Sequence, residues 1–278
     1  HVTMGARETY SLQLKLDSLQ ISDAYRKYLL GNLGAEMESD WEKTTFGMQS
    51  GDLTAEFKTD TSLLGFVSNI GKVTAVIQEQ IEARDVNMEL VREDLPPFSL
   101  HLRSAQNNAV TRFLKSRDMG FRNMAVDIVS RKRSGLRVGV IANAPYFGTV
   151  RLDSVQLGAW QTGKSLMYSL SAGSSSEAWK GLFNINLTGR MQGDRFRIEL
   201  KQKDAQGKLG FDLGINTTLG DSAILVSLFP MNPILGYSRW IVNADNQIRI
   251  ASGGKIKANL RMAYLNKLVS IQSLPDEG

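Results

Sequence analysis

The sequence predicts a mainly β protein with some helix, of the α+β class, whose strands form a long antiparallel meander sheet. Apolar and polar residues alternate in run after run along the 278 residues, which is the period of a strand with one buried face. Short turns rich in glycine and aspartate separate these runs, as expected between hairpin strands. Helices are predicted near residues 60–94 and 107–117. The pattern leaves open whether the sheet is an open trough or a sandwich.

Residues 1–58 are predicted to be a strand-rich N-terminal part. The segment "ETYSLQLKLDSLQI" places Tyr10, Leu12, Leu14 and Leu16 on one side of a strand and polar residues on the other. The segment 22–34, "SDAYRKYLLGNLG", combines a possible helix cap with a short apolar stripe. It is interpreted as either a helix or a loop crossing.

Residues 59–119 are predicted to be a helical insertion that contains one strand. Asp60 is placed to cap a long helix, whose apolar stripe comprises Leu63, Val67, Ile70, Ile77 and Ile81, widened by Leu64, Val73 and Val76. A second helix ends at Leu95, because Pro96 and Pro97 cannot continue it. The strand "FSLHLRS" follows.

The polar stretch "SAQNNAVTRFLKSRDMG", residues 104–120, is predicted to be a helical crossover. Asn107 or Asn108 can cap the short helix "NAVTRFLKS", whose apolar edge is Val110, Phe113 and Leu114. Gly120 would end the connection before the next strand.

Residues 120–278 are predicted to be an antiparallel β meander. Turns at 192–194, 204–208, 219–222 and 251–255 separate its alternating runs, and short turns imply that neighbouring strands pair. The resulting apolar face must be hidden, either by closing on its own side chains or by holding an apolar ligand. We interpret the following residues as lining a groove for acyl chains: Phe183, Ile185, Leu187, Phe196, Ile198, Leu200, Leu209, Phe211, Leu213, Ile215, Ile224, Val226 and Leu228.

Composition argues against most enzymatic chemistry. The absence of cysteine excludes thiolate ligands and nucleophiles, and His101 is the only histidine away from the N terminus. No glycine motif for phosphate binding is present. We therefore predict no catalytic residues, no metal site, no cofactor and no enzyme.

Nucleic acid is not a predicted partner, although the formal net charge is +5. Rings such as Phe196 and Phe211 share the apolar side of their strands, whereas Arg195 and Arg197 lie on the polar side. Stacking platforms and cations are therefore not interleaved on one surface.

Two segments are the most specific in the chain. One is "AQNNAVTRFL"; the other joins "PMNPILGY", residues 230–237, to "WIVNADN", residues 240–246. With their surroundings, over roughly residues 85–262, they resemble the large translocation and assembly module TamB proteins of Bacteroides-type bacteria, members of the AsmA-like superfamily. Neither segment is a catalytic signature.

The resemblance implies a non-enzymatic segment of a periplasmic protein, held in the inner membrane by an anchor outside this sequence. Such proteins form an open, trough-shaped sheet, a β-taco, which serves phospholipid transport or the assembly of outer-membrane proteins with an Omp85-class barrel. The chain opens "HVTMGARETY" without an initiator methionine, so we expect a fragment of a larger chain. The alternative function is a protein-interaction module with a closed core, which binds an outer-membrane client or barrel by strand pairing.

Overall fold

The computed structural model describes residues 2–4, 9–22, 27–175 and 184–273. Strands account for 61% of the structure, so the predicted mainly β class with some helix is confirmed. Contacts divide the chain into two compact units. The first comprises His1–Gln78 and Glu89–Thr162, and the second comprises Glu79–Met88 and Gly163–Gly278.

The first unit is built on an antiparallel meander. Its main strands are β1 (Val2–Met4), β2 (Tyr10–Ser22), β3 (Lys27–Ser39), β4 (Thr44–Ser50), β5 (Leu53–Thr59), β6 (Phe98–Ser104), β8 (Asn123–Arg131), β9 (Gly135–Asn143) and β12 (Ser154–Thr162). Within this unit each pairs with the next in that order. A small separate sheet consists of β7 (Met119–Gly120), β10 (Tyr146–Phe147) and β11 (Val150–Arg151).

One cross-strand row shows why this sheet forms. Directly paired residues of antiparallel strands lie on the same face. From β2 to β12 the paired residues of this row are all apolar: Leu14, Ala35, Met48, Ala55, Leu102, Val126, Val140 and Leu157. The alternation seen in the sequence therefore becomes a continuous apolar face.

Strand β3 corrects one expectation. Residues 27–39 form a strand, and not the helix or loop crossing expected over 22–34. Leu33 and Ala35 lie opposite Leu16 and Leu14 of β2, so pairing and burial on the shared face override a local pattern that was ambiguous. Gly31, with φ of +84°, accommodates the register shift in this pairing.

The predicted long helix is α1 (Leu63–Ala83), followed by α2 (Met88–Asp94). The prediction that Asp60 caps this helix is wrong. The backbone N–H of Leu63 donates to Ser39 Oγ over 3.0 Å, and the N–H of Gly65 donates to Ser62 Oγ over 3.2 Å. Serine hydroxyls, one of them distant in sequence, therefore satisfy the first helical turn.

The apolar stripe predicted the existence of α1 but not its buried side. Phe66 packs edge-on against Phe57 and Phe98, with ring centroids 4.9 and 5.4 Å apart, and Val73 is buried. Val67 and Ile81 from the predicted stripe are instead 59% and 68% exposed. The helix is apolar on several sides, so spacing alone did not identify the side that faces the sheet.

The second unit is also an antiparallel meander, and its described strands do not close into a barrel. Its main strands are β13 (Ser165–Gly173), β14 (Asn184–Gln192), β15 (Arg195–Lys203), β16 (Leu209–Leu219), β17 (Ala223–Leu235), β20 (Gln247–Ala251), β21 (Ile256–Tyr264) and β22 (Lys267–Gln272), which pair in that order. The short strands β18 (Ser238–Arg239) and β19 (Ile241–Val242) pair with β17 and β21 respectively.

The predicted crossover is α3 (Ala109–Lys115), a helix of the first unit. Of the two candidate caps, Asn108 is the one used, and a reciprocal bond with Thr111 makes a capping box. The connection then enters β7 at Met119, one residue before the predicted end at Gly120.

Candidate functional site

The apolar face of the second unit is the candidate site. In one cross-strand row Leu170, Leu187, Leu200 and Leu213 are directly paired, and in another Ile198, Ile215 and Leu228 are directly paired. A third row runs through Phe196, Thr217, Val226 and Ile248. The register therefore places side chains from successive strands on one surface.

Most of the predicted lining residues are on this face. Ile224 lies opposite Ile250, and Phe211 lies opposite Gln202, which is opposite Ile185. Leu209 lies opposite Lys203 beyond a register shift, so the register does not assign it to the face. Phe183 lies outside the described residues.

The exposure of the face distinguishes a groove from a sealed core. Ile198 and Ile215 are each 37% exposed, and the other lining residues that the structure describes are partly exposed. Interior side chains of a closed sandwich would be almost fully buried. Gln202 and Leu260 on the same face are buried, so the described residues cover part of this surface and leave the region around Ile198 and Ile215 open to solvent.

Several residues of the apolar face were not among the lining residues predicted from the sequence. Leu170 and Ile248 belong to the rows described above, and Val269 of β22 lies opposite Met262 of β21. The alternation of these strands was visible, but their pairing was needed to show that they extend the same surface.

The opposite face of the second unit is polar. Arg197 lies opposite Asn216, which lies opposite Ser227. Leu225 and Phe229 of β17 are apolar exceptions on this face, and the Arg197 guanidinium covers the Phe229 ring at 3.8 Å from its centroid. Apart from β17, which is apolar on both sides, these strands therefore have one apolar and one hydrophilic side.

Asn108 explains the first of the two specific segments. This residue is 1% exposed; its Oδ1 accepts from the N–H of Thr111 over 3.0 Å, and its Nδ2 donates to Asp52 Oδ1 and Ser104 Oγ over 2.6 and 2.9 Å. The amide thus joins α3 to β6 and to the β4–β5 turn. Its role is structural.

The second segment also forms a structural joint. Asn246 Oδ1 accepts from the N–H of Leu228 over 2.6 Å, and Asn243 Oδ1 accepts from the N–H of Arg261 over 2.8 Å. Asn246 is 7% exposed. These amides satisfy backbone groups of β17 and β21 where the chain leaves the regular ladder.

The one interior histidine does have a partner. His101 Nδ1 and Asp127 Oδ1 are 2.6 Å apart, and Arg103 donates to the same oxygen over 2.7 Å. His101 and Asp127 are directly paired on the polar face of the first unit. The hydrogen bond from His101, followed by that from Arg103, lowers the pKa of Asp127.

Asp127 should therefore make the stability of the first unit pH-dependent. Because its pKa is lowered by folding, its stabilising contribution is present above the unfolded value of about 3.9 and is lost as pH falls through the folded value. We expect Asp127→Asn to lower the melting temperature slightly at pH 7, since the pair is partly exposed. The difference should shrink as pH falls through the lowered folded-state pKa of Asp127, below which both side chains are neutral. A difference that grows on acidification would contradict this assignment.

The described part of the chain contains no group of three or more histidine, cysteine or acidic side chains arranged to hold a metal ion. None of the helices in the described ranges combines the length and apolar character needed to cross a bilayer.

Comparison with protein-family models, curated proteins and solved structures finds no significant match for this chain.

Proposed function

We propose that this chain is a non-enzymatic segment of a periplasmic TamB-like envelope protein, whose apolar sheet face carries phospholipid acyl chains or supports outer-membrane protein assembly. The proposal rests chiefly on the partly exposed row of Ile198, Ile215 and Leu228. A sheet face of this kind is costly to leave in water, and an acyl chain can cover it.

The energetics favour retention of a lipid tail by contact alone. Each buried methylene contributes about 0.8 kcal/mol, so a chain lying across a few strands needs no polar contact to stay bound. Gln202, which is 2% exposed, is the main polar residue among the rows described. We therefore expect recognition of acyl chains with little selectivity for the headgroup.

Two neighbouring pairs of positions provide the test. Ile198→Asp with Ile215→Asp places two carboxylates opposite each other on the apolar face. Asn216→Asp with Ser227→Asp places two carboxylates opposite each other on the polar face, one position away along β16. Both variants add two negative charges to neighbouring positions of paired strands. The polar-face pair also lies beside Arg197, which lowers its like-charge penalty, so circular dichroism must show that both variants keep the wild-type fold.

The measurement is native mass spectrometry of the full chain after incubation with phospholipid vesicles. We expect the wild type and the polar-face variant to retain phospholipid, and the apolar-face variant to lose nearly all of it while keeping its circular dichroism spectrum. A folded wild type that retains no lipid would refute the acyl-chain function. Equal lipid loss in both variants would refute the role of this face.

A second candidate function is strand pairing with an outer-membrane client or an Omp85-class barrel. The observation that favours it is β22, whose six residues are all exposed and which pairs only with β21 among the described strands. An edge with free backbone groups can accept a further strand. The predicted closed core is not needed for this mode of binding.

A further inference from the structure

The polar face of the second unit has an excess of positive charge. Register and alternation place one set of exposed basic side chains on it: Arg190, Arg195, Arg197, Lys201, Lys203, Arg249, Lys257 and Arg261. The acidic side chains that share this face on the same strands are Glu199 and Asp212. The surface is therefore strongly cationic, although the apolar face behind it is almost free of charge.

The first unit shows that this excess is not a general property of the architecture. On its polar face, basic and acidic side chains are nearly balanced: Lys15, Lys58, Arg103, Arg131 and Arg137 against Glu36, Glu38, Glu56 and Asp127. Two sheets with the same alternation thus differ in the charge of the hydrophilic side. This difference in charge suggests that the polar face of the second unit binds an anionic partner.

Several of these cations lie directly opposite one another. Arg190 is paired with Arg197, and Arg249 is paired with Lys257. Like charges in directly opposed positions destabilise a sheet. A bound anion removes this penalty, because it reduces the repulsion between the two cations.

Some of these cations have acidic neighbours. Arg195 Nε lies 3.8 Å from Asp194 Oδ1, and the pKa of Asp245 is lowered by a hydrogen bond from Asn243 and, more weakly, by the charge of Arg261. Others are fixed by neutral groups. Arg190 Nε donates to the neutral Ser165 Oγ over 3.0 Å, and Arg197 stacks on Phe229. Lys201 pairs with Glu199 over 2.8 Å. Among the described residues, no carboxylate lies within ion-pair distance of Arg197 or Arg249.

We infer that this face docks on an anionic phospholipid surface. The choice of lipid rests in part on the proposed function, since the other face of the same strands is assigned to acyl chains. Single-stranded nucleic acid fits less well, because its bases need exposed rings to stack on and the one ring identified on this face, Phe229, is covered by Arg197. Each basic residue near an anionic leaflet strengthens binding, and a planar array can engage many headgroups at once.

Flotation of the full chain with vesicles tests the inference. Phosphatidylcholine vesicles with and without about 30% phosphatidylglycerol are compared at low and high salt. We expect binding to the anionic vesicles to be at least about tenfold tighter, and to weaken as salt is raised. The triple variant Lys203→Gln, Arg249→Gln and Lys257→Gln should lose on the order of a hundredfold in affinity for anionic vesicles.

The first unit supplies a control with the same change in net charge. Lys15→Gln, Lys58→Gln and Arg131→Gln remove three cations from its polar face, and this variant should bind anionic vesicles like the wild type. Equal losses in the two triple variants would overturn the inference, because net charge alone would then explain binding. Equal binding of the wild type to neutral vesicles would also overturn it. So would tighter binding to a single-stranded oligonucleotide that the second-unit variant abolishes.

The two proposals can fail separately. The cationic-face variant should still retain phospholipid by native mass spectrometry, because its apolar face is unchanged. Flotation that is insensitive to these substitutions would reject the docking face and leave the acyl-chain groove standing. Lipid retention that is insensitive to Ile198→Asp with Ile215→Asp would reject the groove, whatever the flotation result.

Discussion

Asn108→Ala is expected to destabilise the first unit by about 3 kcal/mol. Loss of a helix cap costs about 1 kcal/mol, and the buried groups left without a partner add about 2 kcal/mol. The substitution removes the acceptor of the Thr111 N–H and the donor to Asp52 and Ser104. Because Asn108 is 1% exposed, water cannot readily replace the amide.

The adjacent asparagine is the matched control for this substitution. Asn107 is exposed, and it contacts Asp52 through its backbone N–H over 2.7 Å and its backbone carbonyl over 3.4 Å. Asn107→Ala keeps both backbone groups and should change stability by less than about 0.5 kcal/mol. Urea denaturation of the two variants measures the difference. Equal effects would contradict the assignment of the cap to Asn108.

Gly51→Ala is expected to cost about 3 kcal/mol as well, for a different reason. Gly51 has φ of +61°, and a Cβ there would lie 2.0 Å from the backbone carbonyl oxygen of Asn107. The left-handed conformation costs about 1 kcal/mol for alanine, and displacement of a backbone group that the crossover needs costs about 2 kcal/mol more. Hydrogen exchange should show faster opening of β4, β5 and α3.

Substitution of Gly148 is the control that separates the conformational cost of the Gly51 substitution from its steric cost. Its φ is +58°, and a Cβ there would meet no other atom within 4 Å. Gly148→Ala should therefore cost only the conformational term of about 1 kcal/mol. If Gly148→Ala proved as damaging as Gly51→Ala, the close approach of the Asn107 carbonyl would not be the cause.

Strands were predictable from the sequence where apolar and polar residues alternate within a single segment. Leu12, Leu14 and Leu16 alternate with polar residues, and β2 follows that alternation. The segments 192–194, 204–208 and 251–255 were predicted to be turns, and Gly193, Gly207 and Gly254 in them have positive φ. Asn108 was one of two candidate caps because adjacent asparagines are equivalent in sequence, and only burial selected one of them.

Features that depend on distant residues could not be predicted. The hydroxyl of Ser39 caps a helix that begins at Leu63, and no local pattern relates these two positions. Strand β3 was ambiguous because its pairing with β2 decides its conformation. The candidate site was likewise only partly predictable from the sequence. The alternation identified the apolar side chains, whereas only the strand register showed that Ile198, Ile215 and Leu228 are neighbours. Their lipid contacts remain a proposal.

The pairing order within each unit has a consequence for cooperativity. Because the main strands pair chiefly with neighbours along the chain, the free energy of such a sheet is approximately a sum of nearest-neighbour terms, as in a linear array of repeats. Peripheral hairpins can fray while central ones persist. Each additional hairpin would lengthen the ribbon by two strand spacings of about 4.8 Å, so proteins of this design can be matched to different spans by adding or deleting hairpins, without redesign of the existing ones.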